Sequence, residues 1–142
     1  MIIEQAINQR EGIEAILSAE KLPVADLPET LDNFLVATDN EQLIGVVGLE
    51  IYGAYGLLRS LAVLPEYRNK GVAWKLIERI EDLAASQGLK ELYLLTETAA
   101  EYFAGKAFQK VTRDEVPDDI KHSSEFSHVC PVSAIVMKKS IR

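Results

Sequence analysis

The sequence predicts an α+β fold of three layers, in which a mixed, mostly antiparallel sheet of about six to seven strands carries helices on both faces. Residues 34–38 and 43–51 are apolar runs joined by a tight polar turn, which indicates a β-hairpin. A glycine-rich turn leads from this hairpin into residues 57–64, so three consecutive strands are antiparallel. A long amphipathic segment separates residues 57–64 from the apolar run 91–96, and this strand, helix, strand order requires a right-handed parallel crossover.

Shorter patterns complete the fold around this centre. Residues 22–29 contain two prolines and two acids between apolar residues, which predicts either a plain connector or a lid over a substrate. Asp26 is the residue of this segment that we select as a substrate contact. A first strand is predicted at residues 2–7, and two final strands are predicted at residues 107–111 and 134–137. Helices are predicted at residues 11–21, 97–106 and 116–121.

Length and composition limit the class of partner. The 142 residues, 48% of them hydrophobic, predict a single domain covering residues 1–142. A net charge of −7 argues against a nucleic acid or an anionic membrane as the main partner, because both require a basic surface. One cysteine, Cys130, and the lack of an apolar run of membrane-spanning length predict a reducing, cytoplasmic location.

An apolar strand, a charged turn and a long amphipathic helix follow one another within residues 57–88. The unpaired amides at the start of this helix and the helix dipole would attract an anion. Gly71 would let a ligand approach the backbone closely, and Arg68 and Lys70 add positive charge. The alternative interpretation is an ordinary turn. The spacing matches neither a nucleotide P-loop nor a dinucleotide-binding fingerprint.

The motif Arg68-x-x-Gly71-x-Ala73, placed between a strand that ends in Val63-x-Pro65 and a long helix, resembles the acetyl-coenzyme A signature of the GNAT N-acetyltransferases. The resemblance implies acetyl-coenzyme A as cosubstrate and a sheet that splays between its fourth and fifth strands, with the acetyl group in the gap. It also implies two sets of cofactor contacts. These are the backbone of Leu61, Ala62 and Val63 for the pantetheine arm, and Arg68 with the amides of Asn69, Lys70, Gly71, Val72 and Ala73 for the pyrophosphate.

Three segments are similar to a GNAT subgroup that is associated with arsenic-resistance gene clusters: residues 57–63, residues 92–96 and the ending Phe126-Ser-x-x-Cys130-Pro-x-Ser-Ala. The resemblance implies transfer of acetyl from acetyl-coenzyme A to the amine of a small, anionic or amino-acid-like substrate, linked to arsenic resistance. A non-catalytic acyl-coenzyme A sensor or regulatory module is the alternative, because two positions depart from the pattern of the family.

The first departure is Arg59, which stands where relatives often place a carboxylate on the central strand, so Glu50 becomes the candidate general base. The second is in the Tyr-x-x-x-Gly-Phe run, whose tyrosine serves the coenzyme sulfur in many relatives. Here Phe103 takes the tyrosine position and Ala107 the glycine position. A phenyl ring donates no proton, so the candidate acid is the neighbouring Tyr102 or a water.

Arg59 is also the main substrate clue. A guanidinium in an apolar strand beside the acyl site would bind a carboxylate as a fork, and Ser60 and Asp26 complete the candidate substrate-binding set. The alternative is that Arg59 pairs in the core with Glu50 or another acid. A small-molecule amine is therefore the expected partner.

Two further features carry weaker predictions. Cys130 with His122 and His128 would be a poor metal site, since soft metals prefer several thiolates, and no metal is predicted. We expect Cys130 to be a structural thiol. Trp74 lies off the buried stripe of its helix, which indicates either packing along the flank of the helix or the surface of a homodimer.

Overall fold

The computed structural model describes residues 1–123 and 134–141. Within these residues, seven strands form one sheet in the order β1-β2-β3-β4-β5-β7-β6, which confirms the predicted mixed, mostly antiparallel architecture. The strands are β1 (Ile2–Gln5), β2 (Phe34–Asp39), β3 (Gln42–Tyr52), β4 (Tyr55–Val63), β5 (Glu91–Thr96), β6 (Gln109–Val111) and β7 (Ile135–Ser140). The α-helices are α1 (Arg10–Ala19), α2 (Val72–Ser86), α3 (Ala100–Ala104) and α4 (Asp118–Lys121), and single 3-10 turns cover Pro65–Tyr67 and Arg113–Glu115.

The predicted boundaries are least accurate around α3. A helix over residues 97–106 is wrong in extent, because α3 spans Ala100–Ala104. The Thr96 hydroxyl accepts a hydrogen bond from the Ala99 N–H at 3.0 Å and closes a turn before the helix begins. Ala107 has a φ of 72°, so the chain reverses there and β6 starts at Gln109 rather than at residue 107.

The first four strands form an antiparallel meander, in which β2, β3 and β4 are the three consecutive antiparallel strands that the sequence predicted. Asn40 and Glu41 connect β2 to β3 with φ angles of 49° and 68°. Two successive left-handed residues are typical of a type I′ hairpin turn, whose twist matches that of the flanking strands. The tight turn thus agrees with the hairpin that the sequence predicts.

Helices cover both faces of the sheet, as predicted. On one face, Ile13, Ile16 and Leu17 of α1 pack against residues of β2, β3 and β4. Ile120 of α4 packs on the same side of the sheet, against Leu57 of β4 and residues of β5 and β7. The opposite face is covered by α2 and by Phe103 of α3. Its core residues include Ile44, Leu49, Leu58, Leu76, Ile77, Ile80, Leu92 and Leu94.

The sheet splits between β4 and β5, as the resemblance implied. The two strands are parallel and share three register pairs, which end at Leu57 opposite Tyr93. Beyond this point β4 continues to Val63 and β5 to Thr96 without pairing to each other. A β-bulge in β4 accompanies the separation, because Ser60 and Leu61 together lie opposite a single residue of β3. Bulges bend and twist a strand, so this one turns β4 away from its neighbour.

Candidate active site

The start of α2 has the open geometry that the predicted anion-binding loop, residues 68–73, requires, and anion binding there stays a prediction. Gly71 precedes the helix with a φ of 81°, and no side chain of the described residues caps this end. The Lys75 N–H bonds the Gly71 carbonyl at 3.1 Å, so the amides of residues 72–74 lie ahead of the first intrahelical hydrogen bond. A Cβ placed on Gly71 would meet no atom within 4 Å, which means that the space above this loop is open to a ligand.

One cavity lies at this loop and a second lies in the split in the sheet. The cavity at the loop has a volume of about 440 Å³ and is lined by residues 67–69 and 71–74, with Val63, Tyr102 and Lys106. The second cavity, of about 260 Å³, lies in the split and is lined by residues 58–61 of β4, residues 94–96 of β5 and the side of α3. Tyr102 lines both cavities, so the cavity at the loop and the cavity in the split adjoin at this side chain.

The two cations of the loop differ in their contacts. The Arg68 guanidinium pairs with the Glu20 carboxylate at the end of α1, and its Nε donates to the Val63 carbonyl at 3.4 Å. Arg68 therefore already has an acidic partner, which a bound anion would have to replace. The ammonium of Lys70 lies at the edge of the loop, with its Nζ 5.5 Å from the centroid of the Tyr67 ring.

A buried ion cluster lies beside the split, on the face covered by α1. Arg59 binds Asp26 as a fork, with Nη2 to Oδ1 at 2.8 Å and Nη1 to Oδ2 at 3.0 Å. Nη1 also reaches Glu50 Oε2 at 2.6 Å, and Nε donates to Ser60 Oγ at 3.0 Å. The Arg59 side chain is 1% exposed. The alternative in which Arg59 pairs with acids in the core is thus confirmed by its contacts, and its role as a substrate contact stays a prediction.

Glu50 lies where the split begins, because it stands opposite Leu57, the last β4 residue paired to β5. Its second oxygen, Oε1, accepts a hydrogen bond from the Tyr52 hydroxyl. Burial of the ring is the larger cause and this hydrogen bond is the next, and together they raise the pKa of Tyr52 well above its usual range. Sequence analysis did not select Tyr52, although its spacing of two residues along β3 places it on the same face as Glu50.

A third cavity, of about 400 Å³, lies on the far side of this cluster. Its lining includes Asp26, Glu50 and Tyr52, together with residues 28–34 in part. Arg59 and Ser60 line the cavity in the split, whereas the two acids that bind Arg59 line this outer cavity. The ion cluster therefore separates the cavity in the split from the outer cavity, and the outer cavity is lined by acidic side chains.

Tyr102 and Phe103 occupy different environments on α3. The Tyr102 side chain is 40% exposed and lines both cavities. Partial burial raises the pKa of its hydroxyl above the usual range. Phe103 is 6% exposed and packs edge-on against Phe108, with ring centroids 5.6 Å apart. The ring in the tyrosine position is thus a core residue that also lines the split.

The remaining predictions concern metals and membranes. Within residues 1–123 and 134–141, no group of three or more His, Cys, Asp or Glu side chains is arranged to hold a metal ion. His128 and Cys130 lie outside the described residues. None of the helices in the described part of the chain combines the length and apolarity needed to cross a membrane.

A sheet split after a short parallel contact, next to an uncapped helix start with an open glycine, defines a GNAT-like fold. The chain belongs to the acetyltransferase (GNAT) family, whose family model matches residues 6–110.

Three similar proteins extend this assignment. An uncharacterized N-acetyltransferase of Chlorobaculum tepidum is 31% identical over 101 residues, which cover 70% of this chain and 64% of that protein. An amino-acid acetyltransferase of Pseudomonas fluorescens is 44% identical over 62 residues, 44% of this chain but 14% of the relative. The N-acetylglutamate synthase of Neisseria gonorrhoeae, solved with coenzyme A and N-acetyl-glutamate, superposes with a TM-score of 0.85. The superposition covers 99% of this chain and 35% of the synthase, and the sequences are 21% identical. This similarity therefore concerns the fold alone.

Proposed function

We propose that this chain is an N-acetyltransferase that moves acetyl from acetyl-coenzyme A to the amine of a small, amino-acid-like substrate. Two adjoining cavities, one at the open loop at Gly71 and one in the split in the sheet, are the observation that carries this proposal. An elongated ligand with an anionic group partway along its length would match this arrangement. Membership of the acetyltransferase family supports the same reaction.

The loop at Gly71 and the unpaired edge of β4 would suit two parts of the coenzyme. The amides of residues 69–73 would hold its pyrophosphate, since an uncapped helix start attracts anions and Gly71 leaves room for close approach. The backbone of Leu61, Ala62 and Val63 would pair with the pantetheine arm, because this edge of β4 is not paired to β5. Arg68 would exchange Glu20 for the pyrophosphate, and Lys70 would add charge at the edge of the loop.

The coenzyme supplies the acetyl group as a thioester, and the chain supplies orientation, charge stabilisation and proton transfer. The bulge at Ser60 and Leu61 re-aims the backbone of β4 inside the split. A backbone N–H near Ala62 or Val63 would stabilise the charge that develops on the carbonyl oxygen. The amine must be neutral before it attacks, so Glu50 would accept its proton directly or through a water, and Tyr102 would protonate the departing thiol.

The substrate class follows from the ion cluster. Two carboxylates and one guanidinium give the cluster a net negative charge, which would attract the ammonium of an amine that enters the split. Arg59 would bind a substrate carboxylate if Asp26, which lies on the loop between α1 and β2, moved off its fork, with Ser60 holding the Nε. The name of the Pseudomonas relatives, amino-acid acetyltransferase, also supports an amino-acid-like acceptor.

An acyl-coenzyme A sensor without turnover is the second candidate. It is favoured by the buried Phe103, which has no proton to donate, and by the acids that already occupy Arg59. As a sensor, the chain would bind the coenzyme in the same two cavities, and no acceptor would react.

Thiol release from acetyl-coenzyme A, measured against a panel of amino acids that includes an arsenic-containing analogue, tests the proposal. Turnover with an amino acid supports it, and a link to arsenic resistance requires a preference for the arsenic-containing analogue. Thermal stabilisation by coenzyme A without any thiol release favours the sensor. Glu50→Gln should lower kcat if Glu50 is the base, whereas Arg59→Met should raise the KM of a carboxylate-bearing acceptor. An absence of coenzyme binding would overturn both candidates.

A further inference from the structure

A buried hydroxyl on the wall of the cavity in the split has a proton to donate. Ser60 lines this cavity and is 9% exposed. Its Oγ accepts a hydrogen bond from Arg59 Nε at 3.0 Å, and among the residues that the structure describes no acceptor takes the hydroxyl proton. Buried polar groups are nearly always hydrogen-bonded, so a donor left over on a cavity wall marks a place for a ligand oxygen.

The donor that holds this hydroxyl is itself held by two carboxylates. Asp26 and Glu50 bind the terminal nitrogens of Arg59 at distances between 2.6 and 3.0 Å, which fixes the Nε–H at Ser60. A hydrogen bond from a cation to Oγ polarises the O–H bond, and it leaves the hydroxyl proton to point away from Arg59. Ser60 is therefore a stronger and better oriented donor than an isolated serine.

The backbone at Ser60 explains how the two side chains meet. Neighbouring residues of a regular strand point to opposite faces, so Arg59 and Ser60 would not touch. Ser60 instead has a left-handed φ of 60° and shares the bulge of β4 with Leu61. Such unfavourable angles persist where the surrounding structure enforces them, and they cluster at functional sites.

The direction of the coenzyme along β4 brings a reacting oxygen to this hydroxyl. On the proposed function, the pyrophosphate lies at residues 69–73, beyond the end of β4, and the pantetheine arm runs back along residues 63 to 61. The thioester lies at the end of the arm that is farther from the pyrophosphate, and the split closes at Leu57. Ser60 lies in the interval between the arm and the closed end of the split.

We propose that the Ser60 hydroxyl, oriented by Arg59, donates a hydrogen bond to the carbonyl oxygen of the acetyl thioester and stabilises the charge that develops there. This inference rests on the proposed function, because acetyl-coenzyme A must occupy the split. When the amine nitrogen bonds the carbonyl carbon, an electron pair of the C=O bond moves to the oxygen, and it returns as the C–S bond breaks and the thiolate departs. Ser60 keeps its proton throughout. Ser60 is then a catalytic residue, and Arg59 is a positioning residue.

Kinetics of two serine variants of the full chain test this inference by thiol release with the amino acid that supports turnover. We expect Ser60→Ala and Ser60→Gly each to lower kcat about 100-fold and to leave the KM of acetyl-coenzyme A unchanged, because the donor acts mainly in the transition state. Glycine adopts a φ of 60° more readily than alanine, so Ser60→Gly should melt at a higher temperature than Ser60→Ala. An equal loss of kcat in both variants separates the hydroxyl from backbone strain.

The infrared carbonyl stretch of bound acetyl-coenzyme A, isotope-labelled in the acetyl carbonyl, tests the same hydrogen bond without an acceptor amine. A hydrogen bond to a carbonyl oxygen lowers the stretching frequency. We expect binding to the wild-type chain to lower it, and both Ser60 variants to lose part of that shift. Ser86→Ala is the matched control and should change neither kcat nor the frequency, because the Ser86 hydroxyl donates to the Leu83 carbonyl on the exposed side of α2.

Three results would each overturn the inference. They are an unchanged kcat in Ser60→Ala, a kcat that Ser60→Gly retains although Ser60→Ala loses it, and a carbonyl frequency that is equal in the wild-type chain and both variants. A wild-type chain that lowers the carbonyl frequency but releases no thiol with any acceptor would overturn the proposed transfer and leave the hydrogen bond supported. A wild-type chain that binds no acetyl-coenzyme A would overturn the proposed function itself.

Discussion

Replacement of Asp26 by asparagine tests the buried ion cluster directly. Asparagine preserves the size of the side chain but removes the charge that the Arg59 fork binds at 2.8 and 3.0 Å. Breaking a buried ion pair by removing one partner costs about 3–5 kcal/mol. Glu50 remains 2.6 Å from Arg59 and still neutralises part of its charge. We therefore expect the free energy of unfolding to fall by about 3 kcal/mol, near the lower end of this range.

Urea unfolding at pH 7 measures this loss by linear extrapolation, and the melting temperature should fall by about 10 °C. Asp39→Asn is the matched control, because the Asp39 carboxylate pairs with the N-terminal ammonium at 3.8 Å on the surface and is 36% exposed. We expect the control to cost less than about 1 kcal/mol.

A double-mutant cycle gives the result that would refute this reasoning. In an Arg59→Met background the Asp26 carboxylate has lost its cation and stands near Glu50, so Asp26→Asn should then be neutral or stabilising. An equal cost of Asp26→Asn in both backgrounds, or a cost below about 1 kcal/mol in the wild-type chain, would show that the ion pair contributes little.

Three further predictions concern separate parts of the molecule. Ala107→Gly should raise the unfolding free energy by about 1 kcal/mol in a thermal melt, because Ala107 has a φ of 72°, and a loss would contradict the strain argument. Burial, and then the charge of Glu91, raises the pKa of Tyr93 to about 12. The folded state thus keeps this phenol protonated while the unfolded chain ionises, so urea unfolding should show a loss of about 1.4 kcal/mol by pH 11 that Tyr93→Phe abolishes. Glu20→Gln should tighten coenzyme A binding about threefold in calorimetry, because it frees Arg68, and weaker binding would argue against competition between Glu20 and the ligand.

The sequence was sufficient for the elements whose contacts are local. The hairpin of β2 and β3, the helix α2 and the crossover to β5 follow from short-range periodicity, turn chemistry and handedness. The placement of β7 between β5 and β6 does not follow from these rules, because it depends on pairing across the sheet. The split between β4 and β5 was expected from the resemblance to a family rather than from the residues of the two strands.

Some contacts of the candidate site could be predicted from the sequence, and others could not. The pairing of Glu50 with Arg59 could be foreseen, since the β3–β4 register places Glu50 opposite Leu57 and Gly48 opposite Arg59, with both charged side chains on one face. The contact of Arg59 with Asp26 spans 33 positions and starts from a loop without periodicity. The contact of Arg68 with Glu20 spans 48 positions. Such contacts depend on how the layers pack, for which a single sequence carries no local signal.

The left-handed backbone of Ser60 was equally hidden. It lies within an aliphatic run that predicts a regular strand, yet its φ of 60° marks the bulge. An unfavourable backbone angle of this kind is stabilised by the surrounding packing and not by the residue itself.

The short contact between β4 and β5 has a consequence for how ligand binding can be detected. Three register pairs provide the main-chain link between a four-stranded and a three-stranded part of the sheet, and the edge of β4 beyond Leu57 has no partner in β5. Amides on such an edge exchange their hydrogens with water quickly, whereas amides covered by a pairing ligand exchange slowly. Deuterium uptake along residues 58–63 therefore reports occupancy of the gap even for a ligand that never reacts.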